Sequence, residues 1–274
     1  MKFTKMHGLG NDFVLIEDRE EKLNLTPKQI SHICHRHLGV GADGLILIQP
    51  SNKCAVKMVF YNQDGSRAAM CGNGVRCFAK YVYDHGIVQE TCFSIETRAG
   101  KTNVKIIEQK NADTIVQVNM GKVDYNPSNI PMNIDKKDAL DEVVYINNQE
   151  IVFSSVLVGV PHSIIEVDHL ETYPVERIGR TLENHPLFPE KTNVNFIEIV
   201  NRKEVRGVTW ERGVGLTLAC GTGACAIAAV LKEKRRIDSP VRVHLPGGTL
   251  EINFAGEHIL MTGPAEEVFT GNLS

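Results

Sequence analysis

Two short loops carry a cysteine followed at once by Gly-x-Gly: Met70-Cys71-Gly72-Asn73-Gly74-Val75-Arg76-Cys77 and Ala219-Cys220-Gly221-Thr222-Gly223-Ala224-Cys225. Each opens an apolar helical pattern. A thiol there lies at the positive end of a helix dipole, among N–H groups without intrahelical acceptors. That setting favours a thiolate and offers donors to a carboxylate. If the two halves face each other, Cys71 and Cys220 can serve one carbon, one removing a proton and the other delivering one to the opposite side. Such chemistry inverts a stereocentre.

The repetition extends past the loops. At an offset of 149 residues Tyr61-Asn62 aligns with Trp210-Glu211, Gly72 with Gly221 and Gly74 with Gly223. Downstream, Ser94 to Ile106 and Val241 to Ile252 both read as hairpins. A period of that length exceeds any solenoid repeat, so two similar domains with a cleft between them are expected.

The elements that must position the thiols follow from pattern. Lys2–His7, Asp12–Asp18, Gly44–Gln49, Val56–Asn62 and Phe93–Thr97 read as strands, and Thr26-Pro27-Lys28-Gln29 as a capping box opening a surface helix. Val75, Phe78, Ala79 and Val82 define a helix closed by His85-Gly86. In the other half Thr114–Met120, Glu142–Ile146, Ile151–Gly159, Ser163–Asp168, Asn195–Val200, Val205–Glu211, Val241–Leu245, Leu250–Phe254 and Ile259–Thr262 read as strands, and Val175–Asn184 as a helix. The helix after Cys220 is apolar on all sides, which predicts a helix enclosed by a sheet. Asp124 to Lys137, with two prolines and three asparagines, reads as the link between halves.

Bulk properties narrow the partners. The 274 residues are 42% hydrophobic and 23% charged, enough for ordinary cores, and a net charge of −3 gives no basic footprint for nucleic acid or an anionic membrane. The N-terminus lacks the apolar core of a signal peptide and no stretch reaches the ~20 apolar residues of a membrane span, so a cytoplasmic protein is expected. Seven cysteines are an odd count that argues for free thiols rather than a disulfide framework. Their spacing gives no C-x2-C knuckle, so no metal is expected. Cys77 and Cys225 read as packing residues, as do Cys34, Cys54 and Cys92.

Gly39-Val40-Gly41-Ala42-Asp43-Gly44 matches a dinucleotide fingerprint, but a helix precedes it and a strand follows, the reverse of what that motif needs. It reads as a helix stop with a tight turn. His162, after Pro161, has two readings, a turn residue satisfied by backbone or a group that orients substrate. Glu211-Arg212 is either an ordinary surface ion pair or part of a site, Glu211 being the repeat mate of Asn62.

Together these residues resemble the diaminopimelate epimerases. The resemblance runs end to end, through Lys5 to Phe13, His37 to Gly41, Asn62 with Asp64-Gly65-Ser66, both cysteine loops, Trp210 to Gly213, Leu245 to Gly248 and Met261 to Ala265. It implies an α+β fold of two similar domains, each a mixed β-sheet rolled around a central helix: 1–124, joined by 264–274, and 125–263. It implies cofactor-independent interconversion of LL- and meso-2,6-diaminopimelate for lysine and peptidoglycan synthesis, by a homodimer. Cys71 and Cys220 then look like the acid/base thiols, with His162 and Glu211 assisting at the reacting centre. Gly72-Asn73 and Gly221-Thr222 look like cradles for the reacting amino-acid group, and Asn11, Asn62, Asn193, Glu211 and Arg212 like substrate contacts.

Two positions depart from the family pattern. Many members have Asn where Val160 stands, and that side chain contacts substrate; Val160 neither donates nor accepts. Some have Gln where Gly44 stands, so Gly44 is left out of the site. Proline racemases share the two-cysteine design but typically carry His after the first Cys-Gly, which Asn73 opposes. The rivals are a racemase of another amino acid on the same fold, and a non-catalytic small-molecule-binding or thiol-redox protein.

Overall fold

The computed structural model describes residues 1–107 and 115–273. It divides into two compact units, one of Met1–Asn119 with Thr262–Ser274 and the other of Met120–Met261.

In the first unit β1 (Lys2–Gly8) and β2 (Asn11–Glu17) form an antiparallel pair, and α1 (Pro27–Cys34) crosses to β3 (Gly44–Gln49), parallel to β2. β4 (Val56–Asn62) returns antiparallel, α2 (Gly72–Asp84) crosses to β5 (Cys92–Thr97), parallel to β4, and β6 (Gly100–Ile107) and β7 (Ile115–Lys122) complete the run. The chain end returns as β17 (Glu266–Asn272), antiparallel to β1. Parallel neighbours need a crossover, which is why a helix stands at each parallel joint.

The second unit has β8 (Ala139–Ile146), β9 (Gln149–Val158), β10 (Val160–Glu166), α3 (Val175–Glu183), β11 (Asn193–Asn201), β12 (Glu204–Glu211), β13 (Gly215–Thr217), α4 (Gly221–Glu233), β14 (Val241–Leu245), β15 (Gly248–Ala255) and β16 (His258–Pro264). Its pairings repeat those of the first: β8–β9 and β9–β10 antiparallel, β10–β11 parallel, β11–β12 antiparallel, β12–β14 parallel, β14–β15 antiparallel. The offset of 149 holds residue by residue, since Phe13 faces Gly44 in one copy and His162 faces Asn193 in the other. Each unit is thus a mixed sheet about a helix, as expected.

Side-chain alternation divides each sheet into two faces. Val14, Ile16, Leu45, Leu47 and Val59 cluster with Ile30, Ile33 and Cys34 of α1. The alternate residues Phe13, Leu15 and Ile46 are buried on the opposite face, where α2 packs against β1, β2, β3 and β6. α1 is amphipathic, and Thr26 caps it by accepting from the Gln29 N–H while Gln29 accepts from the Thr26 N–H, an arrangement worth about 1 kcal/mol. In the second unit Ile165, Val194 and Phe196 pack with Ile178 and Leu182 of α3, and α4, buried from Gly223 to Leu231, contacts β9, β10, β11, β14 and β15.

Several expectations are corrected. Asp124 to Lys137 is no linker: Asp124 exchanges backbone hydrogen bonds of 3.0 and 2.8 Å with Leu157, and Ile130 and Met132 lie in the second unit's core. The division therefore falls at 119/120 and 261/262 rather than at 124/125 and 263/264. Prolines and asparagines here shape a turn whose apolar residues still reach the core. β13 and β17 escaped the sequence reading; β13 is three residues long, and β17 is exposed along most of its length and so carries no apolar alternation. Thr114, expected to begin a strand, lies outside the described residues. Cys34, Cys77 and Cys225 are buried, but Cys92, at the start of β5, is exposed.

Candidate active site

Both loop cysteines occupy the same local position. Cys71 is the N-cap of α2 (φ −142°, ψ 119°) and Cys220 the N-cap of α4 (φ −117°, ψ 109°), and each sulfur accepts from the backbone N–H three residues on, Gly74 or Gly223, at 3.4 Å. A capping sulfur that accepts an N–H at a helix N-terminus is stabilised as a thiolate by both the bond and the dipole. Gly72 and Gly221 are buried in the first turn, where helical geometry turns N–H groups away from the chain's own carbonyls.

Around Cys71 the polar groups form one connected set. Asn11 Oδ1 lies 3.6 Å from Cys71 Sγ and accepts from Asn73 Nδ2 at 3.1 Å, while Asn11 Nδ2 donates to Asp43 at 2.7 Å. The carboxylate fixes which end of the Asn11 amide is nitrogen, so its oxygen must face the thiol. Asp43 is held in turn by Arg36 at 2.7 Å, and Arg36 also forms a two-bond pair with Asp12, which Lys5 meets at 2.7 Å. Burial alone would raise the Asp12 pKa; hydrogen bonds from Arg36 and Lys5 outweigh it and hold the carboxyl well below the usual range. Lys5 also donates to the Gly41 carbonyl, and Gly41 takes φ +79°, a left-handed turn that a side chain would strain.

Asn62 does not join this set. It is exposed at the end of β4, donating to Ser66 Oγ at 3.0 Å. Gly44, its partner across the ladder, has no room for a side chain, because a Cβ there would stand 2.6 Å from Phe60 Cε2 and from the Tyr61 carbonyl.

The arrangement in the second unit differs. Thr222 Oγ1 lies 3.4 Å from Cys220 Sγ, and Cys220 is only 6% exposed. Asn193 Oδ1 accepts the Arg212 backbone N–H at 2.9 Å and its Nδ2 donates to the Pro161 carbonyl at 2.7 Å, so one amide ties the Glu211-Arg212 turn to the strand start that carries His162. The Arg212 guanidinium donates to the Glu190 carbonyl, and Glu211 accepts from Thr217 Oγ1, each at 2.7 Å. Glu183, buried, accepts from Trp210 Nε1 at 2.8 Å and the Gly213 N–H at 3.0 Å, fixing the turn from below. His162 is fully buried, and desolvation first, then the nearby Arg212 charge, pushes its pKa down to about 3. Val160, partly buried at the start of β10, stands 149 residues after Asn11 and offers its loop no polar group.

Sequence reasoning missed Lys5, Asp12, Arg36 and Asp43 in the set around Cys71, and Glu183, Asn195 and Thr209 in the second unit. The signal for the last two lay in the repeat, where Asn195 and Thr209 replace Ile46 and Phe60. Among the described residues no group of three or more His, Cys, Asp or Glu is arranged to hold a metal ion, and no helix is long and apolar enough to cross a membrane.

A family model described as diaminopimelate epimerase matches residues 3–126 and 154–268. A diaminopimelate epimerase of Alkaliphilus metalliredigens is 44% identical over 276 residues, covering 99% of this chain and 96% of that protein. Among solved structures, a hydroxyproline epimerase from Agrobacterium vitis aligns with TM-score 0.74 at 16% identity, covering 99% of this chain and 90% of its own. A Bacillus anthracis protein of the PhzF phenazine-biosynthesis family aligns with TM-score 0.73 at 16% identity, covering 100% and 99%. At such identities these two neighbours speak to the fold alone.

Proposed function

The chain belongs to the diaminopimelate epimerase family, and from that membership we propose that it interconverts LL- and meso-2,6-diaminopimelate by two-thiol acid/base chemistry, supplying lysine and peptidoglycan synthesis. The observation that carries the mechanism is the matched placement of Cys71 and Cys220 as N-caps of the helices that cross between parallel strands in two copies of one fold.

The chemistry requires both thiols to address one α-carbon from opposite faces. One thiolate takes the α-proton, breaking the C–H bond and forming S–H; the other thiol then gives its proton to the far face, and the carbon inverts. N–H groups of Gly72-Asn73 or Gly221-Thr222 receive the reacting carboxylate and disperse the charge that develops on it. Arg212 pairs with a carboxylate, while Asn11, Asn62, Asn193 and Glu211 contact the polar groups of a substrate bearing two ammonium and two carboxylate groups. His162 and Glu211 assist at the reacting centre. The reading needs no cofactor or metal, and it places the enzyme in the cytoplasm as a homodimer.

A substrate panel in deuterated water tests it. Conversion of LL- to meso-diaminopimelate without added cofactor, with solvent deuterium at the inverted carbon of early product and protium kept in recovered substrate, supports two separate bases. Early product that retains mainly protium would overturn the two-thiol mechanism. Val160 favours a second reading, a racemase of a different amino acid, because it withdraws a polar contact; exchange in another amino acid but not in diaminopimelate would establish it.

A further inference from the structure

His162, Asn195 and Thr209 form a buried polar chain beneath the first turn of α4. Asn195 and Thr209 face each other across the β11–β12 ladder, and Thr209 Oγ1 donates to Asn195 Oδ1 at 2.9 Å. Asn195 Nδ2 lies 3.2 Å from the Ser163 carbonyl, an acceptor that cannot donate, and 3.2 Å from His162 Nδ1. The Ser163 carbonyl alone fixes the amide orientation: nitrogen toward Ser163 and His162, oxygen toward Thr209. His162 Nδ1 therefore faces a donor and must accept. The chain reaches the Cys220 loop, because a Cβ at Gly223 would stand 2.5 Å from Asn195 Oδ1, 3.1 Å from Thr209 Oγ1 and 3.2 Å from Cys220 Cβ.

The fold does not require this chain. At the same offset the first copy carries Phe13, Ile46 and Phe60, and the Phe13 and Phe60 rings meet edge to face at 5.8 Å. The same scaffold thus closes with apolar groups beneath Cys71 and with polar groups beneath Cys220. Buried polar groups carry a desolvation cost that only complete pairing offsets, and here pairing is incomplete: His162 Nε2 is buried without a hydrogen-bond partner among the described residues.

We infer that Asn195, aimed by Thr209, is a positioning residue for His162: it holds the imidazole neutral with its proton on Nε2, making His162 a fixed hydrogen-bond donor in the Cys220 half-site rather than a base. Protonation of Nδ1 would set an N–H against the Asn195 amide nitrogen. The low pKa of His162, about 3, agrees, since the ring stays neutral at working pH. The identity of the acceptor, an oxygen of the bound amino acid, rests on the proposed epimerase reading. The tautomer does not.

Two-bond proton–nitrogen correlation spectra of ¹⁵N-histidine-labelled protein test the inference, with the His162 signals identified by their absence in His162→Phe. The wild type is expected to show the Nε2–H tautomer, unchanged between about pH 5 and pH 8. Asn195→Asp presents carboxylate oxygens to Nδ1 and is expected to move a proton there while lowering kcat about a hundredfold, with little change in KM. Thr209→Val, which removes only the hydroxyl that aims Asn195, is expected to lower kcat less and to show a mixture of tautomers. A wild-type ring protonated on Nδ1, or variants that lose activity while His162 keeps its wild-type tautomer, would overturn the inference. If wild-type protein shows the Nε2–H tautomer but does not turn over diaminopimelate, the epimerase reading fails while the positioning role stands.

Discussion

Asn11 holds its amide oxygen 3.6 Å from the Cys71 sulfur, turned there by the carboxylate of Asp43. An acceptor at that place stabilises the protonated thiol, whereas the dipole of α2 stabilises the thiolate, so the two act on Cys71 in opposite senses. Asn11→Leu is expected to lower kcat about 10- to 100-fold and to shift the Cys71 limb of the pH–rate profile downward, read from kcat across pH. Val160 stands in the equivalent place of the second copy. Val160→Asn is expected to fold, to remain active and to change KM for diaminopimelate only modestly; a wholesale change of preferred amino acid would instead favour the other-racemase reading.

Cys71→Ala and Cys220→Ala are each expected to abolish inversion while leaving the far-ultraviolet circular dichroism unchanged, because the proposed mechanism needs a thiol on each face and one such group is worth roughly 10²–10⁴ in rate. A variant that kept a tenth of wild-type activity would remove that cysteine from the mechanism.

If both thiols address one carbon, mild oxidation is expected to join Cys71 to Cys220, abolishing activity that dithiothreitol restores. Peptide mass spectrometry reads the outcome. A bridge from Cys71 to Cys77 would contradict the two-thiol reading, and Cys77 is a poor partner, since burial pushes its thiol up to about 12.

Arg212 has its backbone N–H bound by Asn193 and a guanidinium N–H on the Glu190 carbonyl. Arg212→Lys keeps the charge but loses the planar fork that pairs with a carboxylate. A drop in kcat/KM of about 10- to 100-fold with unchanged thermal stability is expected. Kinetics like those of the wild type would exclude Arg212 from the site.

His162 also ties stability to pH. Its folded pKa of about 3 lies below the ordinary value of about 6.5, so between those values the unfolded chain binds a proton that the native state excludes. Stability therefore falls as pH drops below about 6.5 and continues to fall until the native ring protonates near 3. Asp12, whose folded pKa is depressed, adds stability above its unfolded pKa of about 4 and loses it only in stronger acid. His162→Phe, which installs the residue type of Phe13, is expected to flatten the decline between about pH 6 and pH 4 in urea denaturation while abolishing turnover. An unchanged slope would show that His162 is not the neutral buried group.

The sequence by itself determined the repeated cysteine loops, the capping box of α1, the enclosure of α4 and most strands, because each depends on local rules of spacing, capping and alternation. Its repeat also specified that the two copies share one topology. Tertiary structure alone decided which polar residues meet: Asp43 reaches Asn11 across 32 residues, Asn193 reaches Pro161 across 32, and Thr209 reaches Asn195 across the ladder. Strand register and sheet face determine those meetings, and no local pattern announces them. The same cause explains the Asp124–Lys137 segment, whose composition reads as a linker although long-range contacts of Ile130 and Met132 bind it into a core. Burial completes the division, since His162 becomes a fixed neutral ring only when surrounding protein removes water and Asn195 occupies its Nδ1.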